Sequence, residues 1–162
     1  MPSGSTFLAP LLLALGVGLA QAQPEGRDDS ATVLAVVVAA QDTRARVDGA
    51  QIALIYRRKL QFWPDGRRVH PLNLPARHPL RLAFSERVLG ASPAALAEFW
   101  NNQYFLGLQP PFVAGSAAAM AERVAETRGA VGYGDACAID PRLRALLYVH
   151  PDGRIDDRAP DC

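Results

Sequence analysis

The sequence has almost no net charge, because its 162 residues include 17 Lys and Arg against 16 Asp and Glu, for a formal charge of +1. A protein that binds nucleic acid or an acidic membrane surface is expected to carry an excess of positive charge. The sequence therefore indicates neither partner. It also lacks internal repeats, heptad arrays and low-complexity segments, and its length predicts one domain.

Residues typical of catalytic and metal sites are equally scarce. Histidine occurs only at His70, His78 and His150, and no HExxH zinc pattern or G-x-S-x-G nucleophile turn is present. The two cysteines form no C-x-x-C pair and belong to no cluster of metal ligands. We therefore predict a protein that is not an enzyme and has no catalytic residue, metal or cofactor.

One apolar run, from Phe7 to Ala20, precedes the small-x-small pattern Ala20-Gln21-Ala22 that signal peptidase recognises. The run is shorter than the roughly 20 residues of a membrane-spanning helix, and no second such run follows. Because no Lys or Arg precedes the run, an uncleaved anchor is the alternative. We predict a periplasmic protein without a stable membrane span after cleavage. The predicted parts are a signal peptide (1–22), a flexible leader (23–30) and a single domain (31–162).

The cysteines, Cys137 and Cys162, agree with export, because an oxidising compartment favours a disulfide between them. Closing a loop of this size removes unfolded-state entropy worth roughly 3 to 4 kcal/mol in the chain-entropy model. Two unpaired thiols are the alternative. We predict the disulfide.

The region 54–100 reads without a gap as helix, turn, strand, loop and two helices, and the rest of the chain is expected to pack around it. Strands alternate with helices along the chain, which predicts an α/β fold, a layered sheet with helices on both faces. The predicted strands are 32–40, 68–74, 130–133 and 144–149. The predicted helices follow Asp48, include Leu80 to Val88, and begin at Ser92 and Ser116.

Several local signals define these elements. Asp48 with Gln51 three residues later predicts a capping box, and Trp63-Pro64-Asp65-Gly66 predicts a tight turn. Pro71 predicts an irregular or edge position for its strand, because proline has no N–H to donate. An apolar stripe on the helix after Ser92 predicts core packing by Leu96, Phe99, Trp100 and Tyr104.

An ordered set of segments carries a family resemblance. They are LIYRRK at 54–59, FWPDG at 62–66, the Pro-containing strand at 69–74, LPARHPLRLAF at 74–84 and GAVGY at 129–133. This set resembles the phosphate-type periplasmic substrate-binding proteins of ABC importers. The resemblance implies one lobe of a type II periplasmic binding protein, since a complete member has two lobes that close on the ligand. It also implies a small oxyanion as ligand, phosphate before sulfate, and an ABC permease as partner.

The site chemistry departs from the family at the loop that enters the central helix. Members present an Arg followed by a Ser-Gly-Thr segment, whereas this chain has Arg77-His78-Pro79-Leu80-Arg81. The hydroxyl groups are missing, and Pro79 has no N–H. The predicted oxyanion-binding residues are Arg77, His78, Arg81 and Ser116, which combine cations with helix N-termini. Surface ion pairs for the arginines, a solvent-exposed His78 and a plain N-cap role for Ser116 are the alternatives.

Two functions follow from this sequence. The first is an exported solute-binding protein that holds phosphate or a similar oxyanion with one lobe. The alternative, motivated by the altered loop at 78–80, is an interaction or sensory accessory module that has lost ligand binding and docks on an envelope protein. An apolar face that joins Leu80 to the loop 110–112 would favour the alternative.

Overall fold

A computed structural model of the chain describes Met1, residues 31–43 and residues 46–162. The predicted signal peptide and leader, apart from Met1, lie outside the described residues. The described elements follow in the order β1 (Leu34–Ala39), α1 (Gly49–Tyr56), β2 (His70–Asn73), α2 (Pro79–Leu89), α3 (Pro93–Tyr104), β3 (Phe112–Val113), α4 (Ala117–Glu126), β4 (Ala130–Asp135), a 3-10 helix (Ala136–Ala138), β5 (Leu143–Val149) and β6 (Ile155–Asp156). None of the helices in these ranges is long and apolar enough to cross a membrane.

The strands form one six-stranded mixed sheet in the order β3-β2-β4-β1-β5-β6. Strand β2 is parallel to both β3 and β4, whereas β1 is antiparallel to β4 and to β5. The carboxyl ends of β2, β3 and β4 therefore meet at one edge of the sheet. Helices α2 and α4 follow β2 and β3 and begin at this edge.

Helices cover both faces of this sheet, which confirms the predicted α/β architecture. On one face, the ring of Tyr133 in β4 stacks on Phe84 of α2 with centroids 4.0 Å apart. The preceding residue, Gly132, faces the opposite way, where Met120 and Val124 of α4 leave no room for a larger side chain. Strand β1 is buried along its whole length between the layers, as its continuous apolar run predicts.

The helix caps are as predicted. The Asp48 carboxylate accepts from the Gln51 amide (2.7 Å), and the Gln51 side chain accepts from the Asp48 amide (3.0 Å), which completes the capping box. The hydroxyls of Ser92 and Ser116 accept from the amides three residues on, at 3.2 and 3.1 Å, at the starts of α3 and α4. These short polar residues therefore set where the helices begin.

The turn at 63–66 is confirmed, with Gly66 at φ 81° and its amide 2.9 Å from the Trp63 carbonyl. Strand β2 as a whole lies between β3 and β4, but the edge position predicted for Pro71 holds locally, because only β4 pairs with this residue. The sheet tolerates proline there because β3 pairs only with Leu72 and Asn73. Pro71 therefore lies in a part of β2 that has a partner strand on one side alone.

The predicted core stripe of α3 is confirmed only in part. Leu96 is buried, Phe99 and Trp100 are half-buried, and the prediction is wrong for Tyr104. Tyr104 is 65% exposed, and the next residues, Phe105 and Leu106, are 86% and 73% exposed. The reason is that α3 packs mainly on α2 rather than on the sheet. Only the row of side chains that faces α2 is therefore covered.

A disulfide joins Cys137, in the 3-10 helix, to Cys162, which lies 25 residues later. The predicted pairing is thus confirmed. The bond fastens the last residues of the chain to the segment that follows β4. The closed loop contains β5 and β6, of which the two-residue β6 was not predicted from the sequence.

Candidate functional site

A cavity of about 500 Å³ opens at the edge where β4 ends and α2 and α4 begin. Ligands of open α/β sheets bind in crevices at the carboxyl ends of parallel strands. This cavity lies at that position and is therefore a candidate ligand site. Its wall is mostly apolar. The lining includes Val37, Leu80, Ala117, Ala118, Met120, Tyr133, Asp135, Ile139, Asp140 and Leu143.

Arg81, in the first turn of α2 beside this cavity, is the most unusual side chain in the described part of the chain. It is only 7% exposed. Its Nε and Nη1 atoms are buried and have no hydrogen-bond partner among the described residues. No described carboxylate forms an ion pair with it. A desolvated guanidinium without a counter-charge is costly, since removing the charge from water is not offset by any partner.

The aromatic neighbours of Arg81 do not neutralise it. Burial lowers the pKa of Arg81, which reflects how little water surrounds the charge. Burial raises the pKa of Tyr133 to about 12 and raises the pKa of Tyr56 well above its ordinary value. Both phenols are therefore protonated at neutral pH, and neither supplies a negative charge to Arg81.

The two tyrosine hydroxyls are instead engaged in holding the sheet. Tyr56 donates to the Leu72 carbonyl at 3.0 Å, and Tyr133 accepts from the Leu74 amide at 3.2 Å. Tyr133 also donates to Oδ1 of Asn73 at 3.2 Å. These bonds hold the end of β2 in place. Because both hydroxyls are used in this way, the aromatic residues around Arg81 offer it no hydrogen-bond acceptor.

The two helix N-termini at this edge differ in what they offer an anion. In α2, Pro79 has no N–H, the Leu80 amide donates to Nδ1 of His78 (3.3 Å), and the Arg81 amide donates to the His78 carbonyl (2.9 Å). The first turn of α2 therefore presents no free amide, contrary to what its position at a helix start suggests. In α4, Ala117 and Ala118 line the cavity, and their amides have no acceptor among the described residues.

The predicted site residues occupy different positions around this edge. Arg81 is buried, as described, whereas Arg77 is exposed at the loop before α2. His78 is half-buried and caps α2 with its ring, and Ser116 caps α4. The structure brings the starts of α2 and α4 to one cavity, which Leu80, Ala117 and Ala118 line. The four predicted residues flank this cavity in the chain but are not among its lining residues.

Sequence reasoning missed one further polar group, the hydroxyl of Ser85. Ser85 is fully buried one helical turn after Arg81, and its Oγ has no hydrogen-bond partner among residues 31–43 and 46–162. The sequence does contain a signal for Ser85: it lies four residues after Arg81, and this spacing places both side chains on one face of α2.

The other side chains sought in the sequence do not assemble into a site. Within the part of the chain that the structure describes, no three His, Cys, Asp or Glu residues lie close enough to hold a metal ion. Leu80 lines the large cavity, whereas Pro110, Pro111 and Phe112 line a separate one, so they do not form one apolar face.

Comparison with solved structures shows what this fold is similar to. An ABC-type phosphate transport receptor from Vibrio cholerae matches with a TM-score of 0.56 and 18% identity over 70% of this chain and 46% of its own. A candidate phosphate ABC transporter substrate-binding protein from Clostridium perfringens, with bound phosphate, matches with a TM-score of 0.57 and 17% identity over 70% of this chain and 44% of its own. No protein-family model and no curated protein matches the sequence.

The chain thus has the fold of part of a phosphate-transport substrate-binding protein and spans less than half the length of those two proteins. This agrees with the predicted resemblance to one lobe. The low identity means that the likeness concerns the fold.

Proposed function

We propose that this chain is a solute-binding lobe that holds a small oxyanion beside Arg81. The observation that supports the proposal is the buried guanidinium of Arg81, whose Nε and Nη1 have no partner among the described residues. An oxyanion would supply the missing charge and accept hydrogen bonds from those atoms. The free amides of Ala117 and Ala118 at the start of α4 add donors and a partial positive charge.

The remaining predicted residues have secondary roles in this account. Ser116 keeps an O–H to donate, although its oxygen caps α4. His78 caps α2 with its ring, and Arg77 is exposed in the loop before that helix. We infer that Arg81 is the anchor because it is a buried cation with two unsatisfied donor atoms.

Phosphate is the favoured ligand for two reasons. The fold neighbours named above are phosphate-transport proteins. In addition, Asp135 and Asp140 line the same cavity, and a carboxylate tolerates an anion best when the anion still carries a proton to donate. Hydrogen phosphate has such a proton at neutral pH, whereas sulfate does not. Sulfate is therefore the weaker alternative.

One lobe cannot enclose a ligand, so the affinity is expected to be weak, on the order of tens of micromolar or poorer. We place the protein in the periplasm after cleavage of residues 1–22, with an ABC permease as the transport partner. Both statements rest on the apolar N-terminal sequence and on the fold likeness.

Isothermal titration of residues 23–162, oxidised and at low ionic strength, tests the proposal directly. We expect saturable, one-to-one heat with phosphate, less with sulfate, and none with phosphate for Arg81→Met. Arg77→Met is the matched control, because it removes the same charge from an exposed position in the loop just before α2, and should retain most of the affinity. Folded wild-type protein that gives no heat at millimolar phosphate would exclude the proposal.

A docking module without ligand is the second candidate function. It is favoured by one observation, the exposed apolar segment Tyr104, Phe105 and Leu106 at the end of α3. In that case an envelope protein would cover this segment. Under this alternative the folded wild-type protein gives no heat with phosphate, and replacing Phe105 and Leu106 with Ser abolishes capture of the partner from envelope extract.

A further inference from the structure

A second cavity, of about 180 Å³, lies at the opposite edge of the sheet, where β2 begins and α4 ends. Two arginines and a histidine line it, Arg58, His70 and Arg123, whereas none of its lining residues is Asp or Glu. The remaining walls are mostly apolar and come from Pro71, Leu72, Pro110, Pro111 and Phe112. The oxyanion site proposed above does not use any of these residues.

The positive charges around this cavity are not balanced locally. Nε of Arg58 is buried without a hydrogen-bond partner among the described residues, and its Nη1 reaches only the Val69 carbonyl at 3.5 Å. Burial lowers the pKa of Arg58, and the charge of Arg68 lowers it further. Burial also lowers the pKa of His70, with added repulsion from Arg68 and Arg58. The groups thus lie close enough to repel one another.

Two exposed phenylalanine rings extend this surface. Phe62 and Phe112 are each 53% exposed. The guanidinium of Arg68 lies over the Phe62 ring at 6.0 Å, and that of Arg123 lies over the Phe112 ring at 4.2 Å. Arginines stacked on aromatic rings are pre-oriented for a second contact and are enriched at protein interfaces.

The nearest carboxylates on α4 do not line the cavity. Glu122 and Glu126 line a neighbouring hollow, which shares Phe112 and Arg123 with this cavity. Strand β3, which carries Phe112, is the terminal strand of the sheet, so its outer edge pairs with no other described strand. An extended peptide can pair with such an edge, which a lipid headgroup cannot.

We infer that the groove formed by Arg58, His70, Arg123 and Phe112 is a docking site for an acidic, extended segment of a partner protein. The carboxylates of the segment would meet the arginines, and its apolar side chains would meet Phe112 and the two prolines at 110 and 111. This inference does not depend on oxyanion binding by Arg81, because the two sites lie at opposite edges of the sheet.

Fluorescence anisotropy with a labelled peptide of alternating Glu and Val tests the inference. The same peptide with Gln in place of Glu is the control ligand. We expect the Glu peptide to bind more tightly than the Gln peptide and to lose affinity as salt is added. Arg123→Gln should weaken binding roughly twofold to fivefold, as for one accessible ion pair.

Two variants separate this site from the rest of the surface. Arg128→Gln removes an equal charge from an exposed position nearby and should bind the Glu peptide like wild type, and so should Arg81→Met. Equal binding of the Glu and Gln peptides would overturn the inference, and so would equal effects of Arg123→Gln and Arg128→Gln. Binding to phosphatidylglycerol vesicles that depends on Arg123, without peptide binding, would overturn it in favour of a lipid surface.

Discussion

The hydroxyl of Tyr133 donates a hydrogen bond to Oδ1 of Asn73 across 3.2 Å, although the two residues are 60 positions apart in the chain. This bond joins β4 to the end of β2 beside the buried Arg81. The same hydroxyl accepts from the Leu74 amide at 3.2 Å. One phenol oxygen therefore ties β4 to the end of β2 near Arg81.

Removing that oxygen should destabilise the fold. Tyr133→Phe leaves the buried Asn73 and Leu74 groups without their partner, which costs about 1 to 3 kcal/mol of unfolding free energy. Tyr104→Phe is the matched control, because Tyr104 is exposed and should change stability little. Urea denaturation measures the unfolding free energy of both variants, which can be compared by their midpoints if the dependence on urea concentration is the same. Equal stability of the two variants would contradict the role given to Tyr133.

Alkaline pH should reveal the two buried phenols. Burial raises the pKa of Tyr133 to about 12 and raises the pKa of Tyr56 well above its ordinary value. The folded protein therefore holds these two protons more tightly than the unfolded chain does. Their contribution to stability is full below about pH 10, the ordinary tyrosine pKa, and is lost as the pH rises through the folded value. Tyrosinate absorbance should therefore include a late component that appears together with loss of circular dichroism. Ionisation of all four tyrosines near pH 10 in a folded protein would contradict this.

Two glycines of β4 provide a matched test of the packing between sheet and α4. A Cβ at Gly132 would lie 2.9 Å from both Sδ of Met120 and Cγ2 of Val124, whereas a Cβ at Gly134 would meet nothing within 4 Å. We expect Gly132→Ala to cost roughly 1 to 3 kcal/mol through overpacking, and Gly134→Ala to be nearly neutral. Thermal unfolding compares them. A larger loss for Gly134→Ala would show that α4 lies elsewhere.

The disulfide should stabilise the chain without being required for the site. Replacing both Cys137 and Cys162 with Ser opens a loop of 25 residues, and the chain-entropy model gives a loss of roughly 3 kcal/mol. The midpoint in urea should fall, and phosphate affinity at low temperature should remain. Reduced wild-type protein is the control and should match the double variant. Unchanged stability in both would contradict a structural role for the bond.

Much of the fold can be predicted from the sequence because its signals are local. The Asp48 and Gln51 capping box, the turn at Gly66 and the caps at Ser92 and Ser116 each depend on a few neighbouring residues. The α3 stripe could not be judged in this way, because periodicity shows which face is apolar but not whether a neighbour covers it. Tyr104 has the spacing of a core residue and is nevertheless exposed, since α3 has mainly α2 beside it.

The site could be predicted only in part for the same reason. Arg77 and Arg81 look equivalent in the sequence, but the structure exposes the first and buries the second beside Tyr133. The Leu80 amide, which its position at a helix start predicts to be free for a ligand, instead donates a hydrogen bond to Nδ1 of His78. The free amides of Ala117 and Ala118 depend on how α4 begins and on what lies nearby, which no short motif encodes.

The central claim is that Arg81 is kept buried and unpaired for an anion, at a cost to stability. Thermal unfolding of wild type and Arg81→Met, each with and without phosphate, tests both halves of it. Without phosphate, Arg81→Met should unfold at the same or a higher temperature, because an apolar side chain replaces an uncompensated charge. With phosphate at about a hundred times the dissociation constant, wild type should gain roughly 2.7 kcal/mol and the variant nothing. A variant that is less stable without phosphate, yet gains as much from phosphate as wild type, would contradict the account.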